Sequence, residues 1–239
     1  MHTYDPNYAA PGYPAPPAYA AAPAAFDPFV KVRRLGVTVI AFLALRASMR
    51  AITYGVFKVL APSSGRVTME QVETMRTVDM ALLGIENLVG LVAMISFFVW
   101  IHAVFVAVRA TGQRTSTSPG MAVGGWFIPF ANLVLPCLSV REALESMGRP
   151  GILAVGWWLV WFVNIGLLSL HQTFRQIMLV PELADVIGFD TLHELQQALV
   201  SSTWWFFATD TLAWGSLAVI VAMIRRAAEP PLGVARPAA

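Results

Sequence analysis

The chain has 239 residues, of which 57% are hydrophobic and only 13% charged. A soluble domain carries about 45–50% apolar and about 25% charged residues, so this composition excludes a soluble globular protein and indicates an all-α membrane protein. The net charge of +2 gives no compositional support for nucleic-acid binding, and the lone Cys137 excludes an intramolecular disulfide and a cysteine-based zinc cluster.

Residues 1–29 form a Pro/Ala/Tyr-rich tail in which Pro6, Pro11, Pro14, Pro16, Pro17, Pro23 and Pro28 alternate with Tyr4, Tyr8, Tyr13 and Tyr19. Prolines this close remove backbone donors and forbid helix, so a disordered tail of polyproline character is expected. No positive segment is followed at once by an apolar one, so a signal peptide is not expected. The tail reads either as a docking segment for a partner that binds proline and tyrosine or as a solvated leader.

The helical domain is expected over 30–226. Its first apolar run spans Leu35–Leu60 and ends at Pro62 and Gly65. A polar stretch, Arg66–Asp79, suggests a short amphipathic helix. Further apolar runs follow at Met80–Val108, Met121–Val140, Ile152–Leu170 and Ser201–Ile224, with an acidic loop containing Glu182, Asp185, Asp190 and Glu194 before the last. Residues 227–239 read as a disordered tail. A bilayer core of about 30 Å needs roughly 20 apolar residues per helix, which leaves room for four or five spans and no large soluble domain.

Arginine and lysine placement chooses between four and five. If all five runs cross with the N-terminus inside, the cation bias points the wrong way. If Met121–Val140 enters and leaves on one side, ten cations lie inside and only Lys58, Arg66, Arg76 and Arg175 outside. That run also contains Pro129, Pro136 and Asn132, and non-helical backbone at membrane depth needs cover from protein or a wet cavity. The reading is four transmembrane helices plus a proline-broken re-entrant or interfacial segment; the alternative is five transmembrane helices.

Charged groups inside a bilayer cost about 2.5–3.5 kcal/mol each on insertion scales, so they are the first candidates for a site. Arg46 and Arg50 share one face of the first span. Counting inward from the outer ends puts Arg50 level with Asp210, and Glu86 lies somewhat nearer the outer surface. An Arg50–Asp210 pair with Glu86 beside either arginine is allowed. The cluster Arg46, Arg50, Glu86 and Asp210 reads either as an ion path or as a structural network. Asn164 is expected to bond a neighbouring helix. Nothing resembles a nucleophile with its base, a phosphate loop or a metal-binding spacing, so no enzyme, cofactor or metal is expected.

One stretch is more specific: Ser118-Pro119-Gly120, then Trp126-Phe127-Ile128-Pro129-Phe130-Ala131-Asn132-Leu133, then Pro136, then Arg141-Glu142. It resembles the signature of the bacterial membrane family called domain of unknown function 4328, over about Met80–Arg226, with Trp100 also fitting. Cys137 stands where an aromatic often follows the second proline, and Ala143 and Leu144 follow Arg-Glu where a tryptophan is common. The resemblance implies a multi-pass bacterial inner-membrane protein and no known activity. By the residues alone, Pro129 and Pro136 free the carbonyls of Gly125 and Asn132, Asn132 can donate to one of them, and Arg141 and Glu142 mark the return to the cytoplasmic surface.

The expected function is a non-enzymatic scaffold or regulatory membrane component, with lipid as its surroundings and a protein partner at the tail. The alternative is a small transporter or channel subunit built on the polar cluster.

Overall fold

A computed structural model describes residues 27–60, 69–178 and 189–229. All regular structure among them is helical. The long helices are α1 (Val30–Leu60), α2 (Met69–Ala110), α5 (Ile152–Met178) and α6 (Phe189–Ala227); two short ones, α3 (Pro119–Gly124) and α4 (Leu135–Ser146), flank a 3₁₀ turn at Ala131–Leu133. The amphipathic segment expected before the second span is, from Met69 on, the first part of α2, with no break. Asp190 and Glu194 lie in the first turns of α6 rather than in a loop, while Glu182 and Asp185 lie outside the described residues. So do nearly all of the N-terminal tail and the C-terminal tail.

Among the described residues four stretches are long and apolar enough to cross a membrane: Val30–Thr53, Met80–Ala110, Ile152–Leu170 and Trp205–Ala227. Their packing order is α2–α1–α6–α5, each pair antiparallel. The register is pinned at several heights. The Trp100 indole donates to the Val32 carbonyl at 3.1 Å. Arg33 donates to the Ala228 carbonyl at 2.8 Å, and Arg225 to the Arg33 carbonyl at 3.3 Å. Gly36 makes room for that crossing, since a Cβ there would stand 3.2 Å from the Arg225 side chain.

Among the described residues α2 and α5 do not pack on each other; α3 and α4 fill the space between them at one end. That end also holds Lys31, Arg33, Arg34, Arg225 and Arg226, and is called here the cation-rich end. Helix α2 runs ten residues beyond Trp100, about 15 Å at 1.5 Å per residue. Most of that length lies past the start of α1. Its side chains Ile101, Val104, Phe105, Ala107 and Val108 are nonetheless buried. They are buried because α3 and α4 fold over them as a cap, contributing Ala122, Val140, Ala143 and Leu144 to the same core.

The run Met121–Val140 is therefore not a fifth span. It is two helices of 6 and 12 residues with a turn and a three-residue 3₁₀ helix between them. Its ends meet: Glu142 accepts hydrogen bonds from the Ser116 amide, from the Ser116 hydroxyl at 3.0 Å and from the Thr117 amide at 3.0 Å. The chain enters and leaves on the same side of the bundle, so the five-helix alternative fails and the reading of four long helices plus a proline-broken re-entrant or interfacial segment holds.

Candidate functional site

Two constellations stand out, one in each half of the bundle. The first lies away from the cap. Arg46 on α1 donates from Nη1 to Oδ2 of Asp210 on α6 at 2.9 Å, and Asn164 on α5 donates from Nδ2 to Oδ1 of the same carboxylate at 3.1 Å. Three helices thus meet at one carboxylate, each of whose oxygens accepts a bond. Trp214, one turn along α6 from Asp210, lies under the Arg46 guanidinium, 5.3 Å from ring centroid to Cζ. Trp161 of α5 stands edge-on to Trp214 at 4.9 Å. On α2, Gly90 lets the Arg46 stem lie against the helix; a Cβ there would be 3.3 Å from Nε. Thr53, two turns along α1 from Arg46, donates to Oε1 of Glu86 at 2.6 Å. Thr211 donates to the Ala47 carbonyl at 3.1 Å and locks α1 to α6 beside the ion pair.

Asp210 therefore pairs with Arg46. The register is set at the cation-rich end by the Arg33–Ala228 and Arg225–Arg33 bonds, and it brings Arg46 to Asp210. The Arg50 side chain lies outside the described residues. Asn164 does bond a neighbouring helix, as expected. Thr53 had not been singled out, although its spacing from Arg46 on α1 placed it on the same face. Arg46, Glu86, Asn164 and Asp210 are 6%, 1%, 5% and 2% exposed.

The second constellation is the cap. Ser118 opens α3, its hydroxyl accepting from the Met121 amide at 3.1 Å, with Pro119 in the first turn where a missing amide hydrogen costs nothing. The chain leaves the helix at Gly125, which has no room for a side chain: a Cβ would stand 2.8 Å from that of Leu135. Phe130 then takes a positive φ of 62°. Pro136 falls in the first turn of α4. Both motif prolines thus stand outside helix interiors and separate two helices, as a proline-broken segment requires. The carbonyls of Gly125 and Asn132 accept no hydrogen bond from described residues. Nor does the Asn132 side chain fill either of them: it is exposed on the turn.

Trp126 is the centre of the cap. Its ring stands 5.7 Å from Phe97 and 5.5 Å from Phe98 on α2, and 6.2 Å from Trp157 and 5.9 Å from Trp158 on α5. It fills the gap that α2 and α5 leave. The Trp158 indole donates to the Leu133 carbonyl at 2.9 Å and ties the turn to α5. Rings continue from Trp157 through Trp161 to Trp214, so one aromatic column links the motif to the Arg46 pair.

The loop into the cap is held from two sides. Arg109, at the end of α2, donates to the Thr115 hydroxyl at 2.8 Å and the Thr117 carbonyl at 3.2 Å, and Glu142 holds Ser116 and Thr117. Burial raises the Glu142 carboxyl, but the hydrogen bonds from Thr117 and Ser116 outweigh it and hold the group below its ordinary value. Arg141 faces outward and pairs with Glu145 at 2.7 Å. The clamp residues Arg109, Ser116 and Thr117 were not foreseen; no local spacing signals a contact that spans 26 residues. Among the described residues no group of three His, Cys, Asp or Glu side chains converges to hold a metal.

The fold and its cap define a four-span helical membrane protein with a re-entrant element on one face. Residues 64–229 match the family described as a domain of unknown function, DUF4328, and the chain belongs to that family. No curated protein and no solved structure matches it. Of the charged cluster, Glu86 and Asp210 lie inside the matched region, and Arg46 lies on α1, outside it.

Proposed function

We propose that the protein is a non-enzymatic component of a bacterial inner membrane that scaffolds or regulates protein partners, with its N-terminus in the cytoplasm. The observation that carries this reading is the pairing at Asp210. Asp210 bonds both Arg46 and Asn164, Glu86 accepts from Thr53, and all four of Arg46, Asn164, Asp210 and Glu86 are buried. A buried charge pair bonded across three helices fixes helix register, which is the best-attested use of such pairs. An ion path needs a wet wall for at least one of these groups. With the interior committed to structure, recognition falls to the outer surfaces and to the Pro/Tyr-rich tail at 1–29. The excess of cations at one end supports the orientation, by the rule that short cytoplasmic loops collect Lys and Arg. Affinity purification from membranes, with and without residues 1–27, tests the tail: partners lost with the tail support the reading, and an identical partner set removes the tail from it.

The second reading, a small transporter or channel subunit, is favoured by the missing α2–α5 contact on the half of the bundle that holds the cluster. Ion flux in proteoliposomes that falls in Asp210→Asn while the fold persists would select it over the first.

A further inference from the structure

The turn between α3 and α4 has an unusual outer surface. Phe127 is 70% exposed, Phe130 87%, and Leu133 and Val134 about half. Among these apolar groups stand polar ones that no described residue satisfies: the amide hydrogens of Ile128 and Phe130, the carbonyls of Trp126 and Phe127, and the Asn132 side chain. In hydrocarbon each unsatisfied backbone group costs several kcal/mol. In water the phenylalanines have no cover. The surface suits neither solvent and fits the layer between them.

The register gives the depth. Phe127 packs on Phe98 at 5.4 Å, and Phe98 is two residues, about 3 Å, deeper than Trp100, which bonds Val32 between Lys31 and Arg33. Leu133 bonds Trp158, six residues or about 9 Å from the start of α5. The turn therefore dips about 3–9 Å below the level of the cations. At that end Lys31, Arg34, Arg149 and Arg226 are exposed and make no ion pair with described residues, while Glu142, Glu145 and Glu229 are each engaged within the protein. This charge complements anionic headgroups and repels a second copy laid alongside.

We propose that the Phe127–Val134 turn is a lipid wedge, seated in the glycerol-ester layer of the leaflet on the cation-rich end. Phe127 and Phe130 enter the upper acyl chains. The Ile128 and Phe130 amides and the Asn132 amide group donate to ester carbonyls, and interfacial water donates to the free carbonyls. Exposed cations above hold anionic phosphate. The idea does not depend on the scaffold reading, since a wedge of this kind serves either function.

The test uses the full chain in nanodiscs of phosphatidylcholine with phosphatidylglycerol. Cys137→Ser removes the native thiol, and Phe130→Cys carries a nitroxide; Asn132→Cys gives the same readout should the first variant not express. Power saturation with oxygen and a water-soluble nickel chelate is expected to place the label about 5–10 Å below the phosphates. Chelate access equal to that of a label at Gly112 would overturn the proposal, as would a label near the midplane or one shielded from both reagents by protein, the outcome for a second copy. The thermal midpoint is expected to fall when phosphatidylglycerol is omitted; an unchanged midpoint would overturn the headgroup assignment.

Discussion

The half of the bundle around Asp210 is joined by charges, and the half around Trp126 by indole rings. Both hold helices that would otherwise separate in lipid, where apolar surface gives little net drive for association. The charged half gains strength from direction: one carboxylate aligns three helices. It is brittle, because losing one partner leaves the other ionised in a medium that does not solvate it. The aromatic half gains strength from area and has many redundant contacts, so single losses there leave cavities rather than orphan charges.

The contrast predicts a ranking. Asp210→Leu leaves Arg46 buried without its counter-charge and is expected to cost about 3–5 kcal/mol, whereas Arg46→Met with Asp210→Leu restores much of that loss. Denaturation of both variants in detergent checks it, and a double variant as unstable as the single one would refute the charge account. Trp126→Ala removes the plug between α2 and α5 and is expected to cost about 3 kcal/mol, with α3 and α4 gaining amide exchange before the long helices do. Gly125→Ala forces a methyl onto Leu135, for about 1–3 kcal/mol of overpacking in the same assay, and Leu135→Ala in the same chain should relieve it.

The clamp at Glu142 gives a pH test. Its folded-state value lies below the unfolded one, so the carboxylate contributes stability above its ordinary value of 4.5, and the contribution is lost as pH falls below that and through the depressed folded value. Exchange of the amides at 111–118 should rise over that range in the wild type. In Glu142→Gln, which loses about 1 kcal/mol of hydrogen bonding, exchange should be faster at neutral pH and nearly flat with acidification. The smallest effect belongs to the exposed Arg141–Glu145 pair, where Arg141→Ala should leave the unfolding midpoint unchanged.

Much of the bundle was legible in the chain because lipid imposes a simple rule: apolar runs of sufficient length become spans. The cap was legible for a second reason, as prolines at 129 and 136 and the cation balance both spoke against a fifth crossing. Asp210, Glu86 and Arg46 announced themselves as charges in apolar surroundings. That Arg46 reaches Asp210 was not legible, since helix register is fixed by the distant contacts of Arg33 and Arg225. Asn132 looked like an internal donor because its depth in the sequence suggested burial; it stands exposed on the turn. The role of Trp126 as a plug was hidden as well, for it depends on α2 and α5 failing to touch.

The ion pair also bears on how the protein is made. Arg46 and Asp210 are separated by 164 residues, so at about 5–20 residues per second the ribosome takes roughly 10–30 s to deliver the acid after the arginine. During that interval the opening hairpin, α1 with α2, sits in the bilayer with its guanidinium awaiting the closing one, α5 with α6. A nascent chain released before α6 is complete would carry an unmatched cation in lipid, a chemical mark by which membrane quality control can tell unfinished copies from finished ones.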